Sequence, residues 1–467
     1  MSALQFSQLR EAWRVWCGVA LTFVTVNFAL VLALSVMNSG LEAIANGSVV
    51  ASEVGFFVFT PITNAVLSAI VGATSIGSVT SLVVDARRAS LARLALVGAM
   101  PRQLVATIVA QLVAVSLLSS VVGAAFALVM VKPTLAFMAY ERRAEGLTAT
   151  PDAVLRVWPV LAAVTLGMVV AVLGGLRQAV VASRIQPVEA LRRAEVDDAR
   201  GMGPLRWALT IVAVATTVGA FVALPWISAA GVDAMDYVLQ ISLLLLAVIG
   251  LALAAAAPAL VAPITAVWSR LGPRCGLWHV ARTATLVRGA RLSKSVVPIM
   301  STIGLATGSL LLMDLLQSAQ RANGTEREMV ASDWATLLVF LGLPMLVSLS
   351  ASISSLFMTS TQRDADLALL GVVGATPSQR VLLPSWEALM FTVTGALMGL
   401  MMAISSGAYL VIGIVAGGAR AGWPDNPWVC VVSVGGSLVV TWAATVLPTL
   451  FARRLPEQVV IARRVAD

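Results

Sequence analysis

The segments RRASLARLALVGAMPRQ (Arg87–Gln103) and RDADLALLGVVGATPSQ (Arg363–Gln379) decide how this chain is organised, because they align without a gap. An arginine, two leucines, a valine, a glycine, an alanine, a proline and a glutamine recur in them at matching places. The constant shift in numbering that pairs Arg87 with Arg363 is here called the repeat offset. A fixed spacing between similar segments is the sequence signature of an internal repeat. The chain is therefore predicted to consist of two related halves, each carrying one copy of the same element.

Each copy is predicted to form a short amphipathic helix. Leu91 and Leu94 stand three residues apart, as do Leu367 and Leu370, so each pair shares one helical face. A glycine suited to a C-terminal cap follows each leucine pair, and a proline follows the glycine. A generic surface helix would explain this pattern but not its repetition in the same order, which favours a repeated functional element. Its candidate residues are Arg87, Arg88, Leu91, Leu94, Gly98, Pro101, Arg363, Asp366, Leu367, Leu370, Gly374 and Pro377.

The chain as a whole is too apolar for a soluble protein. Of its 467 residues 59% are hydrophobic and 12% are charged, whereas soluble domains average about 25% charged residues. Ten segments are long and apolar enough to cross the roughly 30 Å hydrocarbon core of a bilayer. They are Val15–Met37, Phe57–Val84, Leu104–Val131, Val157–Leu176, Trp207–Ile227, Val238–Leu260, Val296–Leu316, Ala335–Phe357, Ala388–Ala416 and Val429–Leu450. An all-α integral membrane protein of about ten transmembrane helices is therefore predicted.

The distribution of arginine and lysine predicts that both termini lie in the cytoplasm. In this orientation 24 of the 31 basic residues fall in cytoplasmic segments, in agreement with the positive-inside rule. Both repeated segments then lie at the cytoplasmic side, where their short helices would run along the membrane surface. The net charge of +8 is explained by basic loops that face anionic membrane lipid, so no nucleic-acid partner is expected.

A second similarity marks the ends of the two halves. The stretch from Arg184 to Arg192 follows the fourth predicted helix, and a weaker echo from Arg453 to Val459 follows the tenth. Helices one to four and seven to ten are thus interpreted as parallel repeats, joined by an insertion of helices five and six. The predicted units are residues 1–200, 201–270 and 271–467.

Few side chains within the predicted spans could carry chemistry. The sequence contains no Gly-x-x-x-x-Gly-Lys-[Ser/Thr] loop, so the chain is not expected to bind ATP by that route. No metal or other cofactor site is expected in it, and no catalytic residue is assigned. The candidates for lining a cavity are Asn27, Asn64, Ser350, Ser354 and Asp314. Alternatively, the uncharged ones hydrogen-bond neighbouring helices, and the aspartate reaches the outer interface.

At the repeated segments and at Arg184–Arg192, the sequence resembles the FtsX-like permeases of the MacB-type ABC transporter superfamily. The first family hallmark is a basic stretch running into Leu-x-x-x-Gly-Ala-x-x-x-Gln, present in both copies, and the second is Arg-x-x-Pro-Val-Glu-Ala-Leu-Arg. The layout of four, two and four helices is similar to the ten-helix BceB-type branch. Unlike members of that branch, this chain has only short outside loops and no large extracellular domain is predicted.

The resemblance implies that Arg87–Gln103 and Arg363–Gln379 dock on a separate ATPase subunit. One chain would then act as a pseudo-dimer for two ATPase copies, and ATP and magnesium would be bound by these partners alone. The expected function is the permease subunit of an ABC transporter in a bacterial plasma membrane, which exports or extracts a hydrophobic or amphipathic compound. Antimicrobial peptides, antibiotics and lipids are the candidate substrates. Two alternatives are an ion-driven secondary transporter and a non-transporting signalling or scaffold protein.

Overall fold

The computed structural model describes residues 13–48, 55–86, 98–143, 151–183, 203–228, 234–273, 275–287, 289–324, 333–372 and 374–422, and scattered residues between 428 and 443. These residues form helices joined by loops and turns, with no strand among them. The helices are α1 (Trp13–Ala45), α2 (Thr60–Ala86), α3 (Pro101–Arg143), α4 (Val157–Ser183), α5 (Pro204–Ser228), α6 (Ala234–Trp268), α7 (Gly276–Val287), α8 (Gly289–Ala322), α9 (Asp333–Val372) and α10 (Pro377–Ala416). A π-helical turn (Gly55–Phe59) leads into α2, and a 3-10 turn (Ser269–Leu271) follows α6.

Within these ranges eight helices are long and apolar enough to cross a membrane, namely α1, α2, α3, α5, α6, α8, α9 and α10. In α4 the apolar stretch is shorter and runs from Val157 to Leu173. The first nine predicted spans each coincide with a helix, and the tenth, Val429–Leu450, lies largely outside the described residues. The prediction of an all-α membrane protein is confirmed. The count of ten, the cytoplasmic termini and the unit boundaries stay predictions.

The two halves repeat one helix crossing at which the backbones touch. A Cβ atom at Gly123 in α3 would lie 2.7 Å from the carbonyl oxygen of Val24 in α1, and one at Gly399 in α10 would lie 3.1 Å from that of Met300 in α8. The repeat offset pairs the two glycines, and it also pairs the residues that they meet. Glycine permits such close approach because it has no side chain to keep the helices apart. The repeat therefore extends to three dimensions, and α1, α2 and α3 correspond to α8, α9 and α10.

Helix α6 packs along α8 and α10 at two positions that are glycines. The equivalent positions of the first half, on α1 and α3, have large side chains. Gly308 and Gly413 lie so close to α6 that a Cβ atom would come within 2.4 Å and 2.5 Å of its side chains. Their counterparts at the repeat offset in the first half are Leu32 and Phe137. Small residues let helices in a membrane approach closely, whereas these larger side chains would hold α6 away. The insertion therefore makes the two halves unequal, since only the second offers α6 this close surface.

The segment between the sixth and seventh predicted spans contains an additional helix, α7, which three tryptophans hold against the second half. The Trp278 ring meets Trp268 and Trp386 edge-to-face, with ring centroids 6.0 Å and 5.2 Å apart. The Trp278 Nε1–H also donates to the carbonyl oxygen of Ser269 at 3.1 Å. Aromatic pairs of this geometry stabilise a fold beyond the area that they bury. The cluster thus ties α7 to the ends of α6 and α10.

Replacing Trp278 by alanine is expected to release α7. The change removes both edge-to-face contacts and leaves a void, and loss of a buried tryptophan costs about 3–5 kcal/mol. Hydrogen–deuterium exchange of Gly276–Val287 in nanodiscs should rise about tenfold or more. His279→Ala, on the exposed side of the same helix, should leave this exchange unaltered. Equal exchange in the Trp278 variant and the unchanged protein would mean that other contacts hold α7.

Candidate functional site

Two turns with the same glycine conformation lie in the last part of the repeated segments. Gly98 and Gly374 both have a φ of 99°, in the left-handed region that residues with a side chain rarely adopt. Three residues after each glycine a new helix begins, α3 at Pro101 and α10 at Pro377. Proline suits the first position of a helix, because its fixed φ is helical and an N–H there would have no partner within the helix. Gly374 also follows the end of α9 closely, as expected of a glycine that terminates a helix.

The recurring glutamine caps the helix that follows each turn. Gln103 Oε1 accepts a hydrogen bond of 2.9 Å from the Met100 N–H, and Gln379 Oε1 accepts one of 2.9 Å from the Thr376 N–H. In the second copy the Thr376 hydroxyl accepts from the Gln379 N–H at 3.4 Å, which completes a capping box. The glycine, proline and glutamine of the repeat are thus explained by the turn itself. The turn does not require the arginines and leucines, which remain the candidates for contact with a partner.

In the second copy the segment before the turn is not a separate short helix. Helix α9 runs without interruption from Asp333 to Val372, and its last turns contain Arg363, Asp366, Leu367 and Leu370. The prediction of a separate surface helix is therefore wrong for this copy. The stretch that joins the eighth predicted span to Leu370 contains neither glycine nor proline, so no residue in it breaks the helix. In the first copy, Arg87, Arg88, Leu91 and Leu94 lie outside the described residues.

The uninterrupted helix connects the second repeated segment to Ser354, which lies in the membrane-embedded part of α9 where the two halves meet. Its 40 residues extend over about 60 Å, twice the thickness of the hydrocarbon core. Part of α9 therefore projects from the bilayer. Leu370 and Ser354 lie on the same helix about 24 Å apart, so a displacement of the projecting end reaches the membrane-embedded part without an intervening joint.

Hydroxyl groups join the two halves at a contact between α1 and α9, here called the first seam. The Thr22 hydroxyl donates to Ser354 Oγ at 3.2 Å, and Thr25 Oγ1 lies 2.6 Å from Ser350 Oγ. The two serines are candidates for lining a cavity, and in the structure they hydrogen-bond a neighbouring helix, which is the alternative that the sequence leaves open. The threonines are not predicted from the sequence. Their spacing of three residues, which places both hydroxyls on one face of the helix, is the signal that could have found them.

The other cavity candidates are not gathered at the first seam. Asn64 Nδ2 also links the halves, since it donates to the carbonyl oxygen of Val339 at 2.7 Å. Asn27 is buried within the first half, where a Cβ atom at Gly167 would lie 2.3 Å from its Oδ1. Asp314 is half-buried on α8. The structure therefore brings three of the five candidates to the interface between the halves, where they take part in helix packing.

A comparison with known families agrees with this repeated architecture. A family model described as FtsX-like permease C-terminal matches residues 62–187 and 338–456, just over half of the chain. The repeat offset pairs position 62 with position 338, where the two regions begin, so the match occurs once in each half. Each region runs through one of the two glycine turns. No curated protein matches the chain.

Proposed function

The chain belongs to the FtsX-like permease family, and from this premise we propose that it is the membrane-embedded subunit of an ABC transporter. Members of this family are transport components and are not themselves catalysts. The proposed role of this chain is to convert ATP hydrolysis by a separate ATPase subunit into the export or extraction of a hydrophobic or amphipathic compound.

The observation that carries this proposal is the pair of turns at Gly98 and Gly374, which have the same glycine conformation and lie one in each repeated segment. Two like elements in one chain suit two copies of one ATPase, because each copy would meet the same backbone shape beside the same leucine pair. One permease chain would then take the place of a dimer. In the positive-inside orientation both turns face the cytoplasm, where the ATPase and its ATP are found.

ATP and magnesium are assigned to the partner subunit. This sequence lacks the glycine-rich loop whose backbone N–H groups hold ATP phosphates. The arginines and leucines of the repeated segments are assigned to the contact with the ATPase. Because α9 continues from its segment into the membrane, closure of the ATPase pair would act on the helices directly.

The substrate is proposed to be taken from the membrane rather than from water. Between α1 and the π-helical turn before α2 the chain has only residues 46–54, which is too short for a folded ligand-binding domain. An amphipathic compound already concentrated in the bilayer needs no such domain for capture. Antimicrobial peptides, lipophilic antibiotics and lipids have this chemistry, and a bacterial plasma membrane is the proposed location.

Isolation of the tagged chain from native membranes in mild detergent, followed by quantitative mass spectrometry, tests this function. We expect an ATPase with Walker motifs at close to two copies per permease chain, with ATP hydrolysis that rises when the two are reconstituted together. An unrelated tagged membrane protein from the same cells controls for non-specific recovery. If the chain is isolated alone from membranes that keep their other peripheral proteins, the ATPase assignment is wrong. An ion-driven carrier, with Asp314 as the first residue to mutate, would then be the leading hypothesis.

A further inference from the structure

The repeat creates two related contacts between the halves. The first seam joins α1 to α9, and the second seam joins α8 to α2 in the corresponding way. At the repeat offset, the counterparts of Thr22, Thr25, Ser350 and Ser354 are Pro298, Ser301, Thr74 and Ser78. Because corresponding helices meet at both seams, differences between them arise from their side chains and from the inserted helices.

At the first seam hydroxyls of the two helices meet each other, in addition to carbonyl oxygens of their own helices. At the second seam the corresponding hydroxyls bond carbonyl oxygens of their own helices. Thr74 and Ser301 donate to carbonyl oxygens of their own helices, at 2.9 Å and 3.1 Å. Pro298, the counterpart of Thr22, has no hydroxyl. To separate the first seam, two hydroxyl pairs must break, although each hydroxyl keeps a carbonyl oxygen of its own helix as a partner. At the corresponding positions of the second seam, the described residues form no such hydroxyl pair, so its separation is the less costly of the two.

A small cavity lies within the second seam. Thr74 of α2 and Ser301 and Leu305 of α8 line it on one side, and Leu246 and Gly250 of α6 line it on the other. Its wall is apolar apart from the two hydroxyl-bearing residues, and it has room for about one water molecule. The wall carries no charge, which suits an alkyl or aryl group and not an ion.

Helix α6 covers the second seam, while the corresponding surface of the first seam is exposed. Leu346 and Phe126, the counterparts of Ile70 and Met402 in the cavity wall, are 39% and 61% exposed. Met402 itself is buried, and its Sδ would lie 3.1 Å from a Cβ atom at Gly250 of α6. Methionine is unbranched and flexible, so this part of the wall can rearrange at little cost.

We propose that the second seam is the contact that opens during transport, and that its cavity receives the apolar part of an amphipathic substrate from the bilayer. This inference rests on the proposed function of the chain as a permease. The first seam acts as the hinge side, since its hydroxyl pairs keep α1 and α9 together. Thr74 and Ser301 supply two hydroxyls for a polar group next to the apolar part of the substrate, and α6 limits access from the side.

The two seams can be locked separately in the full chain. In a background with its three native cysteines changed to alanine, Thr25→Cys with Ser350→Cys locks the first seam by a disulfide. Thr74→Cys with Ser301→Cys locks the second by a disulfide or by a short bis-thiosulfonate spacer. Because the pairs occupy repeat-related positions, each serves as the matched control for the other. Reduction reverses both locks, so a variant that fails to fold is recognised by its failure to recover.

Photolabelling by a phospholipid with a diazirine at the end of one acyl chain shows which seam admits an apolar group. The protein is studied in nanodiscs without an ATPase. Leu246 and Leu305 are fully buried beside the cavity, whereas Leu118 is 71% exposed and serves as an internal reference. We expect label at both buried leucines in the unlocked protein and with the first seam locked. Locking the second seam should reduce it about tenfold, because the open state is removed, and reduction should restore it.

Three results would overturn the proposal: label that persists with the second seam locked, label that disappears with the first seam locked, and absence of label at both leucines in every form. The readout requires no ATPase. A chain that binds no ATPase can therefore still show the expected labelling, and a chain that binds two can fail to show it, so the two proposals are tested separately.

Discussion

Aspartate in place of both Leu94 and Leu370 is expected to abolish copurification of the ATPase with the permease. These leucines occupy the same position in the two repeated segments, and each stands three residues after a second leucine, a spacing that predicts a shared helical face. A carboxylate that must leave water to enter an apolar contact costs about 3 kcal/mol or more, which lowers the affinity at each dock about 100-fold. The measurement is the molar ratio of ATPase to permease after isolation in mild detergent.

Single substitutions test the assignment of one dock to each half. Leu94→Asp or Leu370→Asp alone should leave one dock intact and lower the ratio from two ATPase copies toward one. Leu271→Asp is the matched control, because Leu271 is 90% exposed just after α6 and lies outside both repeated segments. This control should retain both copies. Recovery of two ATPase copies with the double variant would show that the repeated segments do not hold the partner.

Leucine in place of Gly123 or Gly399 is expected to disrupt the helix crossing that the two halves share. A Cβ atom at Gly123 would lie 2.9 Å from the backbone nitrogen of Phe28, and one at Gly399 would lie 2.8 Å from that of Gly304. Backbone atoms cannot rotate away as side chains do, so the helices themselves must separate. Overpacking typically costs about 1–3 kcal/mol, and these backbone contacts place both variants at the upper end. Thermal unfolding in detergent, followed by tryptophan fluorescence, measures the loss.

Gly219→Leu is the control for this pair. A Cβ atom at Gly219 of α5 would meet no atom within 4 Å, so the added side chain enters open space and contacts lipid. The stability of this variant should stay within about 0.5 kcal/mol of the unchanged protein. If Gly123→Leu and Gly399→Leu unfold no earlier than Gly219→Leu, the close helix crossings do not set the stability of the two halves.

The transmembrane helices can be predicted from the sequence because the bilayer restricts the possibilities. A crossing needs about 20 apolar residues, and its backbone groups must be satisfied within the helix. The apolar run Val15–Met37 accordingly lies within α1, from Trp13 to Ala45. The turns at Gly98 and Gly374 are equally local features. A positive φ and a proline that begins the next helix depend only on neighbouring residues.

The second repeated segment shows where local patterns become insufficient. The spacing of Leu367 and Leu370 predicts a helix, and the structure has one there. The same spacing occurs whether that helix is separate or continues from the preceding span. In the structure it continues, because no residue after Phe357 interrupts it before Gly371. The predicted surface helix was therefore correct in type and wrong in its independence from α9.

Which helix faces meet is decided only in the folded chain. Thr25 and Ser350 are far apart in the sequence, and their 2.6 Å contact depends on how α1 and α9 are rotated about their own axes. The small size of Gly308 and Gly413 is visible in the sequence, but the helix that uses the space is not. The asymmetry between the two seams thus belongs to tertiary structure, because it depends on the relative placement of distant helices, which the packing of the whole bundle sets.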